Sequence, residues 1–191
     1  MKSKAPNIIR LVEDCQNNVA SANEPMYKAF YGYVKGVILR YVKVPDDVEE
    51  LVNDTFIKIF KHINTFSSNG DLEAFGKSFR GWIAKIASRT AIDYIRKQKN
   101  NFNTSTSEIE QTELALSISP ASTSMEVNDI MALLEQLPET HKLIFNLYEV
   151  EGYSHDEIAK MLGIQPSSSR VFLTRAKNRL RTLYTAKFST Y

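Results

Sequence analysis

Apolar residues along this chain recur at intervals of three and four, and no run alternates apolar with polar side chains as a half-buried strand would. The pattern predicts an all-α fold. It sets out an early helix through Met26 to Val42, a second from Asp46 to Ile63 and a third from Phe79 to Lys97. These form an N-terminal domain, 23–97, preceded by an N-terminal extension, 1–22. On the second helix Val48, Val52, Phe56, Ile59 and Ile63 fall within about a quarter of the helical wheel and form a core stripe. Asp46 and Asp47 after Pro45 supply capping and favourable charge at its positive end. On the third, Ile83, Ile86, Ala87, Thr90 and Tyr94 share the inward side. Between these two helices FSSNGDLEAFGKSF reads as a loop, because its Ser-Ser-Asn-Gly-Asp cluster breaks helical geometry.

Near the C-terminus the pattern is sharper. Ser154 followed by Glu157 has capping-box spacing, Ile158, Ala159 and Leu162 give a packing face, and Gly163 suits a left-handed helix end. Pro166 then fits the first turn of another helix. On that helix Leu173, Ala176, Leu180, Leu183 and Tyr184, joined by Ser169, point to one side, while Ser167, Arg170, Val171, Thr174, Arg175 and Asn178 point outward. Two helices and a glycine turn with an outer face free of carboxylates make a helix-turn-helix in a domain spanning 126–187. The first residues of such a recognition helix meet base edges in the major groove. Ser167, Ser168, Arg170 and Val171 are therefore candidates for base contact, with Thr174 beside them, and Arg175, Lys177 and Arg179 for phosphates or a partner surface. A purely structural helical hairpin would keep the same apolar stripe but would leave the carboxylate-free face unexplained.

Residues 98–125, rich in Ser, Thr and Asn, read as a linker between the two domains. As a flexible coil this segment would span roughly 30 Å, and fully extended about 90 to 100 Å. One turn of B-DNA rises about 34 Å, so two linked domains could reach sites a few turns apart.

The net charge of +2 argues for little by itself, but its distribution is uneven. Residues 77–99 hold seven Lys and Arg against Asp93 alone, and 166–187 hold six against none. Residues 45–54 hold five carboxylates and no base. This favours two separate anion-facing surfaces over a diffuse coat. On the third helix Lys85, Arg89 and Arg96, followed by Lys97, share a face bordered by Trp82. An aromatic plane beside cations can stack an unpaired base while neutralising phosphates, at roughly 1 to 3 kcal/mol per base. The same Trp82 could instead complete the core, and the two roles coexist if only part of the indole is buried. On the second helix Asp47, Glu50 and Asp54 with Ile57 leave an acidic ridge bearing an apolar spot, which also fits a plain solvated face.

The remaining chemistry is sparse. Cys15 is alone, and His62, His141 and His155 lack zinc-site spacing, so no metal, cofactor or redox chemistry is expected. No phosphate-cradling glycine loop is found, and no enzyme activity is expected. Without a membrane-length apolar run or a signal-peptide core the chain is expected to be cytoplasmic, without membrane insertion.

Three segments together resemble bacterial RNA polymerase sigma factors of the sigma-70 family, extracytoplasmic-function (ECF) group. DDVEELVNDTFIKIFKHI resembles the family's region 2.2, FRGWIAKIASRTAIDYIRKQK its regions 2.3 and 2.4, and LLEQLPETHKLIFNLYEVEGYSHDEIAKMLGI with the helix after it region 4. The resemblance implies two helical domains, a region 2 bundle and a region 4 helix-turn-helix, that bind core RNA polymerase and promoter DNA. Asp47, Glu50, Leu51 and Asp54 become candidate contacts to the polymerase clamp coiled coil, while the second domain would touch the flap. Ser67 to Phe75, including Ser68 and Asn69, become candidates to hold a base extruded from the melted minus-ten element, alongside Trp82, Lys85, Arg89, Arg96 and Lys97. The helix-turn-helix would read the minus-thirty-five element as duplex. Anti-sigma partners are common in the group, and no residue here identifies one. Two positions depart from the family pattern: Ser169 stands where an apolar residue is usual, and Phe172 where a basic one is frequent. Against this reading stand a stand-alone helix-turn-helix regulator of duplex DNA and a nucleic-acid enzyme.

Overall fold

The computed structural model describes residues 7–68, 71–103 and 131–188, with side chains to 98 in the second stretch and to 187 in the third. Every regular element among them is helical. The chain divides into two compact units, 1–98 and 99–191.

The first unit contains α1 (Ile8–Gln16), α2 (Asn23–Ile38), α3 (Pro45–His62) and α4 (Leu72–Asn103). Asn7 caps α1 by accepting the Ile9 N–H, and Leu11, Val12 and Cys15 are buried in the same core as α2, α3 and α4. The segment expected as a separate extension thus contributes to the first core. Helix α3 begins at Pro45 as its first residue, with the extended Val44 as N-cap. Asp46 and Asp47 therefore supply charge to the first turn rather than the cap, and Lys61 and His62 answer at the other end. The expected stripe is buried from Val48 to Ile63. Each such aliphatic or aromatic side chain, fully buried, contributes about 1.5–3 kcal/mol.

Helix α4 starts seven residues earlier than the pattern predicts. Asp71, the last residue of the turn-forming cluster, accepts the Ala74 N–H on its side chain at 2.9 Å and the Phe75 N–H on its carbonyl. It acts as a cap, so Leu72 to Ser78 are helix and not loop. Phe75, Phe79 and Trp82 then lie on one face at spacings of four and three. Phe79, wholly buried, has its ring 5.2 Å from that of Phe30, 5.0 Å from Phe66 and 5.7 Å from Trp82. At its other end α4 continues through Asn103, into the first residues of the segment read as linker; 104–125 lie outside the described residues. The buried hydroxyls of Thr55, Ser88 and Thr90 donate to the carbonyls of Leu51, Ala84 and Ile86, one turn earlier, so none is left unsatisfied.

The second unit contains a helical turn at 131–134, α5 (Glu139–Phe145) widening into a π turn over Asn146–Val150, α6 (His155–Leu162) and α7 (Pro166–Phe188). Both arms of the Ser154–Glu157 capping box form, and Gly163 ends α6 at φ 67°, a left-handed conformation that a Cβ disfavours. Leu173 and Ala176 of α7 are buried, and Leu180 and Leu183 are half-buried. Tyr184, expected on that inner side, is 54% exposed instead, because α7 runs on past the small core.

Candidate nucleic-acid interface

Helix α4 carries core on one side and cations on the other. Lys85, Arg89, Arg96 and Lys97 are exposed, with Arg96 3.9 Å from Asp93. Trp82 is half-buried: its ring stacks on Phe79, 19° from parallel, and leans on Phe66 at 5.6 Å. The indole is thus anchored from behind while part of it stays open on the helix that carries the cations. Ser67 is exposed and Ser68 half-buried in the short connection before Asp71; Asn69 lies outside the described residues. Phe66 and Phe79, which fix the indole, were not among the expected site residues. The Phe75, Phe79 and Trp82 spacing is a signal for Phe79; Phe66 precedes α4 and has none in that periodicity.

The ridge on α3 is narrower than expected. Glu50 and Asp54 are exposed, and Ile57 beside them is 64% exposed, an unusual surface position for isoleucine. Asp47 is half-buried and accepts a hydrogen bond from the Tyr94 hydroxyl of α4, which also accepts from Gln98. Burial first, and then the Asp47 carboxylate, push the Tyr94 hydroxyl pKa up. Leu51, expected on this surface, is 4% exposed and belongs to the core, because α3 buries a wider arc than the five-residue stripe. It supports the ridge from beneath and offers no contact area.

On α7 the outward set is as the pattern predicts: Ser167, Arg170, Val171, Thr174, Arg175 and Asn178 are exposed, Val171 to 47%. Ser168 is half-buried, and Lys177 is paired at 2.6 Å with Glu149 of the π turn. Both family departures have a local reason. The buried Ser169 hydroxyl lies 2.9 Å from His155 Nδ1 at the start of α6, linking the two helices where an apolar contact would otherwise stand. His155 in turn stacks on Tyr148, with ring centroids 4.4 Å apart. Phe172 is half-buried with its ring 5.5 Å from that of His141 on α5, a packing contact within the unit. Both imidazoles have pKa values below the ordinary one: burial is the main cause, with Arg170 acting on His155 and Arg175 on His141.

Residues 26–101 match the family profile described as Sigma-70 region 2, and 128–180 match Sigma-70, region 4. The two matches fall in the two units, in family order, and mark a sigma-70 protein. The chain is 30% identical over 146 residues to the RNA polymerase sigma factor NccH of Alcaligenes xylosoxydans xylosoxydans, covering 73% of this chain and 75% of that one. It is 23% identical over 162 residues to the ECF RNA polymerase sigma factor SigM of Bacillus subtilis, covering 84% and 94%. Its fold is similar to that of the sigma factor RpoE of Bartonella quintana, solved in complex with the anti-sigma factor NepR (TM-score 0.52, 21% identity, 85% and 96% covered). The chain belongs to the ECF group of bacterial RNA polymerase sigma factors. A stand-alone helix-turn-helix regulator leaves the region 2 match without a role. Among the described residues no helix is long and apolar enough to cross a membrane.

Proposed function

We propose a division of labour for the residues of this sigma factor in transcription initiation. Glu50 and Asp54, with Ile57 beside them, dock on the clamp coiled coil of core polymerase. Trp82, Lys85, Arg89, Arg96 and Lys97 engage the melted minus-ten strand, while the Ser67 to Phe75 segment holds an extruded base. Ser167, Ser168, Arg170 and Val171 read the minus-thirty-five duplex, with Thr174 and Arg175 along the same face. The first domain, about 23–97, gains α1, which shares its core, and the second runs over about 126–187. The protein works by binding energy without covalent chemistry, in the cytoplasm where polymerase and chromosome meet. The sigma factor RpoE is solved with an anti-sigma factor, and a partner of that kind is proposed for this chain as well.

The observation that carries this reading is the juxtaposition on one four-helix unit of an exposed acidic and apolar ridge on α3 with an exposed cationic face beside a half-buried indole on α4. Opposite charges on separate helices suit two different partners. Asp54→Arg reverses one ridge charge at an exposed position and should weaken core binding at least tenfold in a titration, with helicity and the Trp82 emission unchanged. Wild-type affinity in that variant would return the ridge to an ordinary solvated face.

A further inference from the structure

Gln16 is the last residue of α1, ten residues before the region 2 match begins. Its side-chain amide reaches across to two backbone carbonyls far along the chain, donating from Nε2 to Ile63 O at 3.0 Å and to Phe66 O at 2.9 Å. Two carbonyl acceptors on one atom fix the amide orientation, since only the nitrogen end carries protons. These carbonyls bracket the short turn Ile63–Thr65 that ends α3, and Phe66 N–H itself bonds back to Ile63 O. Immediately after Phe66 the chain enters Ser67 and Ser68. Phe66 is 7% exposed and touches the rings of Phe75, Phe79 and Trp82. One amide therefore ties down the takeoff point of the loop on its backbone side, while its rings tie that point to the indole.

We infer that Gln16 is a positioning residue for minus-ten recognition, holding the backbone at Phe66, from which Ser67 and Ser68 follow, and, through Phe66, the setting of Trp82. The inference rests on the reading that this segment holds an extruded base. A loop that must bind a flipped base loses affinity when its anchor is free to move, because ordering it is then deferred to the binding step. The Ile63 carbonyl already accepts the Phe66 N–H, so the Gln16 amide adds a second donor there and supplies the Phe66 carbonyl from another helix, tying the two ends of the turn to one side chain.

The test uses holoenzyme reconstituted from the full chain and core polymerase. The probe is a fork-junction DNA, duplex upstream and single-stranded through the minus-ten segment, with its sequence taken from a promoter mapped by transcript sequencing. Gln16→Met keeps length and removes both donors; fork binding should fall about tenfold. Gln16→Lys restores a donor and should bind within about threefold of wild type. Core affinity and binding to duplex minus-thirty-five DNA should not change in either. Amide hydrogen exchange in the DNA-free chain should quicken over 63–75 in Gln16→Met and recover in Gln16→Lys. Wild-type fork binding by Gln16→Met, or equal losses in both variants, overturns the positioning role. The underlying reading has its own arm: Ser67→Glu places a carboxylate on the exposed loop and should weaken fork binding. If Ser67→Glu weakens it and Gln16→Met does not, Gln16 alone loses its role; if Ser67→Glu binds like wild type, the base-holding reading itself fails.

Discussion

The two units each present a basic helix to solvent, but they hold it by different means. In the first, α4 is backed by a broad wall of apolar side chains, Phe79, Ile83, Ala87 and Ala91 each fully buried, with three helices and an aromatic cluster behind. In the second, α7 has a narrow inner face, Leu173 and Ala176, and its next inward residue toward the N-terminus is a serine hydroxyl bonded to a histidine. Apolar packing scales with buried area, whereas caps and hydrogen bonds act through a few atoms at fixed geometry. The first unit should therefore respond to lost volume, and the second to lost caps, altered surface chemistry and protons.

The largest effect should come from Phe79→Ala. Removing a fully buried ring that meets three other aromatics should cost about 3–5 kcal/mol. Trp82 is the only tryptophan in the chain, so its emission reports on the first unit alone. The second unit can be followed by the ring resonances of His141 and His155. A large loss in the tryptophan transition with unchanged histidine signals keeps the units independent. Parallel losses would show a single cooperative body and break the comparison.

How much of this contrast was legible in the sequence follows from how local each signal is. The stripe on α3, the capping box and Gly163 depend on residues within one or two turns, and sequence spacing displays them directly. The start of α4 was hidden because Ser67 to Asp71 looks like a loop from end to end, whereas Asp71 is in fact a cap; Phe75, Phe79 and Trp82 carried the correct period across that boundary. Leu51 sits only 60° from the ideal stripe on the helical wheel, and whether such a flanking position is core depends on the neighbours that α3 acquires. Lys177, a candidate for phosphate or a partner surface, also pairs with Glu149, a contact that sequence spacing does not display. Gln16 is separated from its acceptors by 47 and 50 residues, and no periodicity encodes that pairing.

Arg170→Ala should come next in size, and it acts on recognition rather than folding. The side chain is exposed near the start of α7, so its removal should relax specific upstream recognition by about 1–3 kcal/mol. Run-off transcription from matched and mismatched upstream elements measures this; unchanged promoter choice would remove Arg170 from base reading. Ser154→Ala should cost the second unit about 1 kcal/mol by deleting the α6 cap, visible in the histidine signals and absent from the Trp82 transition. A shift in both probes would mean that stress on one unit is transmitted to the other.

The smallest effect is a dependence on pH, and its sign is opposite to that of a histidine whose pKa is raised by an ion pair. His155 and His141 both hold their protons less tightly in the folded unit than the ordinary value of 6.5, chiefly through burial and then through nearby arginines. The unfolded chain therefore binds more protons than the folded one as pH falls through 6.5, and stability must fall with it. The contribution is complete above 6.5, declines below it, and levels off once the folded imidazoles are themselves protonated. In the first unit Glu49 is lowered by its bonds from Lys35 and Tyr31, so its contribution persists until pH drops below the usual carboxylate value of 4.5. Acidification should thus loosen the second unit while the first is still intact. Thermal unfolding followed by histidine resonances and by Trp82 emission, in buffers on either side of 6.5, separates the two. A second-unit transition that does not move across 6.5 would show that neither imidazole is held neutral by the fold, and the Ser169–His155 link would then be no more sensitive to protons than the apolar wall behind α4.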